Sequence, residues 1–409
     1  MLPFEGSEKG SSKKAVFRRF FEENRRRKIL LAKEWQRLGA NVLLVRAELL
    51  GKESPLSFEF RETEGISQLF VKIPKPKKTS FLRFREVFGF CSAISENAPS
   101  LGGIFKPDIV VSGGVIPSSV FAGIKICESC GCALATELFC LPTEFFKKNL
   151  RSFFLNPVLI FIKRNVEAAF SRSEAVLSFF PKAAVSFPKS RNLYPMLFPA
   201  QISFEEPSEN ADSLRETLFS FREGGTFVLA FCGELEEGFS IEELMLAAAN
   251  FGQKFALVFL SEGTRKNYYK RFVSEKGITN VFFLEGVLKK DIPYVLTAAD
   301  GIFVSESDFS KGFFPEEQNF WNALGAQKPV IASSEHWADF FRKAGGVIIT
   351  KPRRRDSISL GIKTLLSMTE TDRETLGRSN RDFFEKNSLQ NFAKDSFFLF
   401  DNLAKQKEI

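Results

Sequence analysis

Between Asn280 and Ser333 the sequence alternates short apolar runs with short helical patterns, and no other stretch narrows the choice of fold as much. It reads as a strand (Val281 to Leu284), a helix (Asp291 to Ala299), a strand (Ile302 to Ser305), a loop rich in Phe, Gly and acid, a helix (Gln318 to Gly325) and a third strand (Val330 to Ala332). Strands that alternate with short helices make a parallel sheet. Ligands of such sheets bind beyond the carboxyl ends of the strands, which directs attention to Ser305 through Asn322.

The chain has 409 residues, more than one core usually fills, so two domains are expected. Phe occurs 49 times against 4 Tyr and 3 Trp, and most of these rings must lie in the core because Phe has no polar tip to offer water. Residues 1–200 hold 31 Lys and Arg against 18 Asp and Glu, whereas the remainder holds 26 against 31. A basic half beside an acidic half fits an anionic partner for the first, and a solvated surface equally well. The longest apolar run, Phe153 to Ile162, is broken by Asn156 and Pro157 and is too short to span a bilayer. No secretory leader pattern opens the sequence, so a cytoplasmic protein is expected, at most one lying on the inner face of the membrane. Six cysteines suit reduced thiols better than a disulfide framework.

Along the chain, a helix is expected from Lys14 to Leu38, stopped by Gly39. Strands follow at Asn41 to Val45, Phe58 to Phe60 and Leu69 to Ile73. A doubly wound domain needs a central strand before that first helix, and residues 1–13 do not supply one. The strand Asp108 to Val111 runs into Ser112, Gly113 and Gly114, a backbone able to approach a ligand closely. A helix to Cys130 and a strand from Ala133 to Leu138 come next, with Glu137 near the strand's carboxyl end, and Ala175 to Phe179 reads as the last strand of this half. Residues 75–90 and 145–170 interleave Phe with Lys and Arg, which suits either a membrane interface or core helices with basic outer faces. Cys127, Cys130 and Cys132, with Cys140 as the nearby fourth thiol, read as buried small hydrophobes rather than a zinc site, for want of a second closely spaced pair.

Pro195 to Glu223 reads as the crossing between domains. The second half opens with a strand, Phe227 to Phe231, the loop Cys232 to Gly238, and a helix through Ala249. Strand, Gly turn and helix amino end form an anion-binding arrangement. Strands at Phe255 to Leu260 and Val347 to Thr350 continue the sheet, and terminal helices lie at Ile358 to Met368 and Arg373 to Ala404.

The order of motifs resembles the family 4 glycosyltransferases of the GT-B fold, in particular those of bacterial cell-envelope polysaccharide assembly. The likeness is carried by Ile29 to Val45, by Lys106-Pro-Asp-Ile-Val-Val111, by Asn280 to Asp300 and by Ala323 to Ile331. It implies an α/β fold of two doubly wound, Rossmann-like domains facing a cleft: an acceptor-side domain over 1–200, a nucleotide-sugar domain over 201–385, and a terminal helix over 386–409 packed back on the first. It further implies transfer of a sugar from a nucleotide diphosphate sugar to a lipid-linked or saccharide acceptor, with no cofactor and no bound metal. No nucleic acid is expected as partner, because the basic half carries no recognisable recognition module.

Departures from the family pattern bear on the same site. Where the family places an Arg and a Lys on the donor diphosphate, Glu234 and Glu237 stand here, and only Gly233 and Gly238 agree. The ribose-binding acid falls on Asn322, and a Lys that related members carry falls on Asn319. Glu316 and Glu317 lie close enough in sequence to substitute, or are solvated loop acids. Glu137 falls where an acid would take the acceptor proton. His336, the only histidine, is its rival for that role and fits a structural position better. Loss of the donor cations leaves a second reading, a catalytically degenerate partner subunit or binding module.

Overall fold

The computed structural model describes residues 12–50, 57–74, 83–113, 117–138, 164, 167–168, 170–179, 193–196, 206–307 and 317–407. These form two compact units, one built on Phe20–Phe198 with Leu389–Ile409, the other on Pro199–Ser388.

The helix α1 (Ser12–Arg37), which belongs to the first unit from Phe20 onwards, stops at Gly39, whose φ of +99° suits a residue without Cβ. The amides of Gly39 and Ala40 return to the carbonyls of Gln36 and Trp35. Strand β1 (Leu43–Leu50) pairs in parallel with β3 (Ile66–Pro74), and β2 (Ser57–Thr63) pairs antiparallel with β3. The β2–β3 turn is Glu64-Gly65, both with positive φ, which is what a two-residue hairpin requires. A separate parallel sheet follows, in the order β4 (Ile109–Gly113), β5 (Ala133–Leu138), β6 (Ala175–Ser178), β7 (Leu193–Pro195). Ala175–Ser178 is thus not the last strand of this half. Three residues ending in a proline are too few to show a strand period.

Two helices cover both sheets of this unit. Ala93, Ile94 and Leu101 of α2 (Arg83–Ile104) pack on Leu69 and Val71, while Val120 and Ile124 of α3 (Pro117–Cys130) pack on Leu134 and Val110. Among the described residues β1 pairs only with β3, and β4 only with β5, so the strand that would join the two sheets is not found there. Ile109, Val110 and Val111 accordingly stay half-buried, whereas all six residues of β5 are buried. The terminal helix Leu389–Lys407 packs on α1, with Trp35 Nε1 donating to Ser396 Oγ at 3.1 Å and its ring edge-on to Phe400 at 5.6 Å.

The second unit holds one six-stranded, wholly parallel sheet of β8 (Phe227–Phe231), β9 (Phe255–Phe259), β10 (Val281–Phe283), β11 (Gly301–Ser305), β12 (Val330–Ser333) and β13 (Val347–Thr350), arranged β10-β9-β8-β11-β12-β13. Phe supplies much of its core: Phe231 lies 4.9 Å from Phe259 and 6.3 Å from Phe303, and Phe259 lies 5.1 Å from Phe283. The stretch read as a crossing contains a helix, Glu209–Ser220, which buries Ala211, Leu214 and Leu218 at helical spacing and carries Glu209 and Asp212 in its first turn.

Candidate functional site

In the second unit the chain moves from β8 to β9 and β10 on one side, then returns to place β11, β12 and β13 on the other. The carboxyl ends of β8 and β11 flank this reversal, which is where open parallel sheets bind ligands. From β8 comes the loop Cys232 to Gly238. A Cβ on Gly233 would lie 2.7 Å from the Phe231 ring, and Gly238 has φ +98°, so both positions exclude larger residues without strain. The loop is fastened to the one after β9: Leu235 N donates to Glu262 O, Arg265 N donates to Leu235 O, and the Glu236 carboxylate accepts from Thr264 N at 2.8 Å and Thr264 Oγ1 at 2.6 Å. Glu234 is half-buried, and exposed Glu237 lies 3.8 Å from Arg265.

Cys232 rivets this loop to the helix Glu317–Gly325. Its Sγ donates to Asn319 O at 3.4 Å, and burial pushes the thiol up to about 12, partly offset by a hydrogen bond with Asn322. Asn322 is buried and its Oδ1 accepts from Gln318 Nε2 at 3.0 Å, while Glu317 is buried and Asn319 half-buried. Glu316 lies outside the described residues.

A serine network ties the other strand ends together. Ser305 Oγ accepts from Ser240 N at 3.3 Å and donates to Glu306 O at 3.0 Å. Ser240 Oγ accepts from Ser333 Oγ at 3.2 Å and from Arg353 N at 3.0 Å. Beside it, the buried Glu306 carboxylate accepts from Ser334 Oγ at 2.5 Å, Glu335 N at 2.9 Å and His336 N at 3.2 Å. His336 therefore contributes its backbone amide to the loop. Sequence reading named Ser305 but not Glu306, Ser240, Ser333 or Arg353. The only signal was the serine or acid that ends each apolar run, and the partners come from distant strands.

In the first unit Ser112 and Gly113 end β4, beside Thr136 and Glu137 of β5. Glu137 is buried, and its Oε2 lies 3.0 Å from Lys28 Nζ on α1. The buried Ser112 Oγ has no hydrogen-bond partner among the described residues. Gly114 falls outside them, as do residues 75–82 and 145–163 of the two basic Phe-rich stretches. Cys127 Sγ donates to Ala133 O at 3.3 Å and Cys132 is buried, while Cys140 is not described. Among the described residues no three His, Cys, Asp or Glu side chains are placed to share a metal ion, and no helix is long and apolar enough to cross a membrane.

Two α/β units with parallel sheets, matched over nearly the full length, have the GT-B glycosyltransferase fold. The likeness is one of solved structures. A structure from E. coli described as trehalose-6-phosphate and bound with UDP-2-fluoro glucose matches with a TM-score of 0.60 at 12% identity, over 98% of this chain and 97% of that one. Sucrose-phosphate synthase from Thermosynechococcus elongatus matches with a TM-score of 0.62 at 14% identity, over 91% of each chain. An alpha,alpha-trehalose 6-phosphate synthase from Burkholderia multivorans matches with a TM-score of 0.58 at 11% identity, over 90% of this chain and 98% of that one. No protein-family model matches the chain. No curated protein matches it either.

Proposed function

We propose that the protein is a retaining glycosyltransferase that moves a sugar from a nucleotide diphosphate sugar to the hydroxyl of a lipid-linked or saccharide acceptor, in cell-envelope polysaccharide synthesis. The observation that carries this reading is the switch point between the parallel neighbours β8 and β11, where the loop holding Gly233 leaves β8 and Ser305 ends β11, in a fold shared with a structure bound with UDP-2-fluoro glucose. In this reading the bond between the anomeric carbon and the diphosphate oxygen breaks, with the pair leaving on the diphosphate. The acceptor oxygen bonds the same carbon, and its proton passes to Glu137. Backbone amides of the Gly233–Gly238 loop face the diphosphate. Glu316, Glu317, Asn319 and Asn322 lie towards the nucleotide. Arg265 and Arg353, brought to the loop and to Ser240 by their backbones, supply the cations that the loop lacks. Ser112, Gly113 and Gly114 lie towards the acceptor, and the basic stretches 75–90 and 145–170 rest on a membrane surface.

One observation favours a second reading, a partner subunit that no longer binds nucleotide: the donor loop carries Glu234, Glu236 and Glu237 and no cation. An acid beside a diphosphate repels it. Melting of the purified protein with millimolar UDP, GDP or ADP separates the two, because a ligand of the folded state alone raises Tm. A rise with one nucleotide, followed by transfer of label from its sugar, supports the enzyme. A folded protein indifferent to all three nucleotides rejects it in favour of the subunit.

A further inference from the structure

The second unit holds a pocket of about 810 Å³ away from the strand ends described above. Its walls come from the start of the helix Ile292–Leu296, the turn Gly325 to Lys328 that leads into β12, and the helix Glu370–Lys386. Lys328 lies two residues before β12, at the amino end of the strand whose carboxyl end carries Ser333.

Charge in the pocket is unbalanced. Lys290, Lys328, Arg378 and Arg381 line it against two carboxylates, Glu206 and Glu374. Arg381 is occupied, with Nη1 on Gly325 O at 2.8 Å and Nε on Glu385 at 2.7 Å, so the carboxyl end of the helix Glu317–Gly325 already has its cation. Among the described residues Lys290 Nζ reaches only the backbone of Glu206, at 3.3 Å. Lys328 is half-buried, and its ammonium makes no hydrogen bond or ion pair with any described residue. Burial pushes its pKa down, and Arg222 and then Arg215 push the same way. Asp300 and Glu374 oppose them, but Asp300 is engaged by Arg222 at 2.9 Å and by Val228 N at 2.8 Å.

The backbone under this lysine is fixed. Asn380 Nδ2 donates to Lys328 O at 2.9 Å, Gln327 has φ +58°, and a Cβ on Gly377 would lie 2.2 Å from Gln327 O. Folding therefore holds a partly desolvated ammonium among like charges, at a cost that a bound anion would remove. Tyr294, Pro207 and Pro293 add an apolar wall, so the space suits more than a bare ion.

We propose that this pocket binds a phosphate-bearing small molecule, with Lys328 and Arg378 on the phosphate and the remainder lying against Tyr294. It is separate from the proposed nucleotide-sugar site and does not depend on it.

The test is calorimetric titration of the full chain with inorganic pyrophosphate at constant ionic strength, on wild type, Lys328→Met, Arg378→Gln and, as a control on an exposed lysine of the first unit, Lys394→Met. The expected result is saturable binding that raises Tm, with affinity at least tenfold weaker in Lys328→Met, several-fold weaker in Arg378→Gln, and unchanged in Lys394→Met. Without anion, Lys328→Met is expected to melt no lower than wild type. Should that variant fail to fold, the Arg378→Gln affinity decides alone. Absence of binding in wild type overturns the proposal. Equal affinity in wild type and the pocket variants, with displacement by UDP, overturns it too and assigns the pyrophosphate to the nucleotide site. Nucleotide binding measured separately fails or succeeds without moving the Lys328→Met result.

Discussion

Lys28 Nζ lies 3.0 Å from Glu137 Oε2, joining the first helix to the end of a buried strand; the lysine side chain is 35% exposed and the glutamate's 3%. Removing one member of a buried pair leaves the other without compensation, which costs roughly 3–5 kcal/mol when both are enclosed. Water reaches Lys28, so Lys28→Met is expected to cost about 2 kcal/mol in urea unfolding. The double change Lys28→Met with Glu137→Leu should recover most of that. If Glu137 takes the acceptor proton, Glu137→Gln should abolish transfer while leaving nucleotide-induced stabilisation intact.

Glu306 binds three donors from the loop after β12. Glu306→Ala leaves two backbone amides and a hydroxyl without their acceptor, and a loss of roughly 3 kcal/mol is expected. Thermal unfolding measures the loss. If a nucleotide binds at these strand ends, its stabilising effect should fall further than the drop in Tm alone explains, because the same loop borders Ser333.

Asn380 is fully buried and satisfies three backbone groups, accepting from Gly346 N and donating to Lys328 O and Gly346 O. Asn380→Ala should destabilise by about 3 kcal/mol. Asn380→Asp, with the same shape but no amide donors, should do so nearly as much. A tolerated Asp would mean that the two carbonyls find other donors.

The Cys232 thiol, pushed up to about 12 by burial, should resist a thiol reagent at pH 8 in the native protein and react on unfolding. A raised pKa in the folded state stabilises fully below the unfolded value, near 8.5, and that stability is lost as pH climbs from there towards 12. Cys232→Ser should therefore flatten the alkaline fall in stability, read as Tm between pH 8 and 10.

Apolar runs bounded by turn residues were legible from composition alone. Phe227–Phe231, Ala133–Leu138 and Val347–Thr350 have the bounds read from the sequence; the first of them is buried along its whole length and shows as an unbroken hydrophobic run. The hairpin at Glu64-Gly65 was not read, since either neighbouring run alone also suits a parallel strand. Within the site, glycines and strand-end serines were visible, but not what they touch. Glu306 meets Ser334 across 28 residues and Cys232 meets Asn319 across 87, contacts created by the sheet order and by no local pattern.

The divided sheet of the first unit also bears on how that unit opens. Hydrogen bonds do not run from Leu43–Leu50 to Ile109–Gly113 among the described residues, so the two sheets share only the side chains of their covering helices. Amide protons of β1 to β3 should then exchange with deuterium at a rate set apart from those of β4 to β6, as two cooperative blocks. The unbroken six-stranded sheet of the second unit should exchange as a single block.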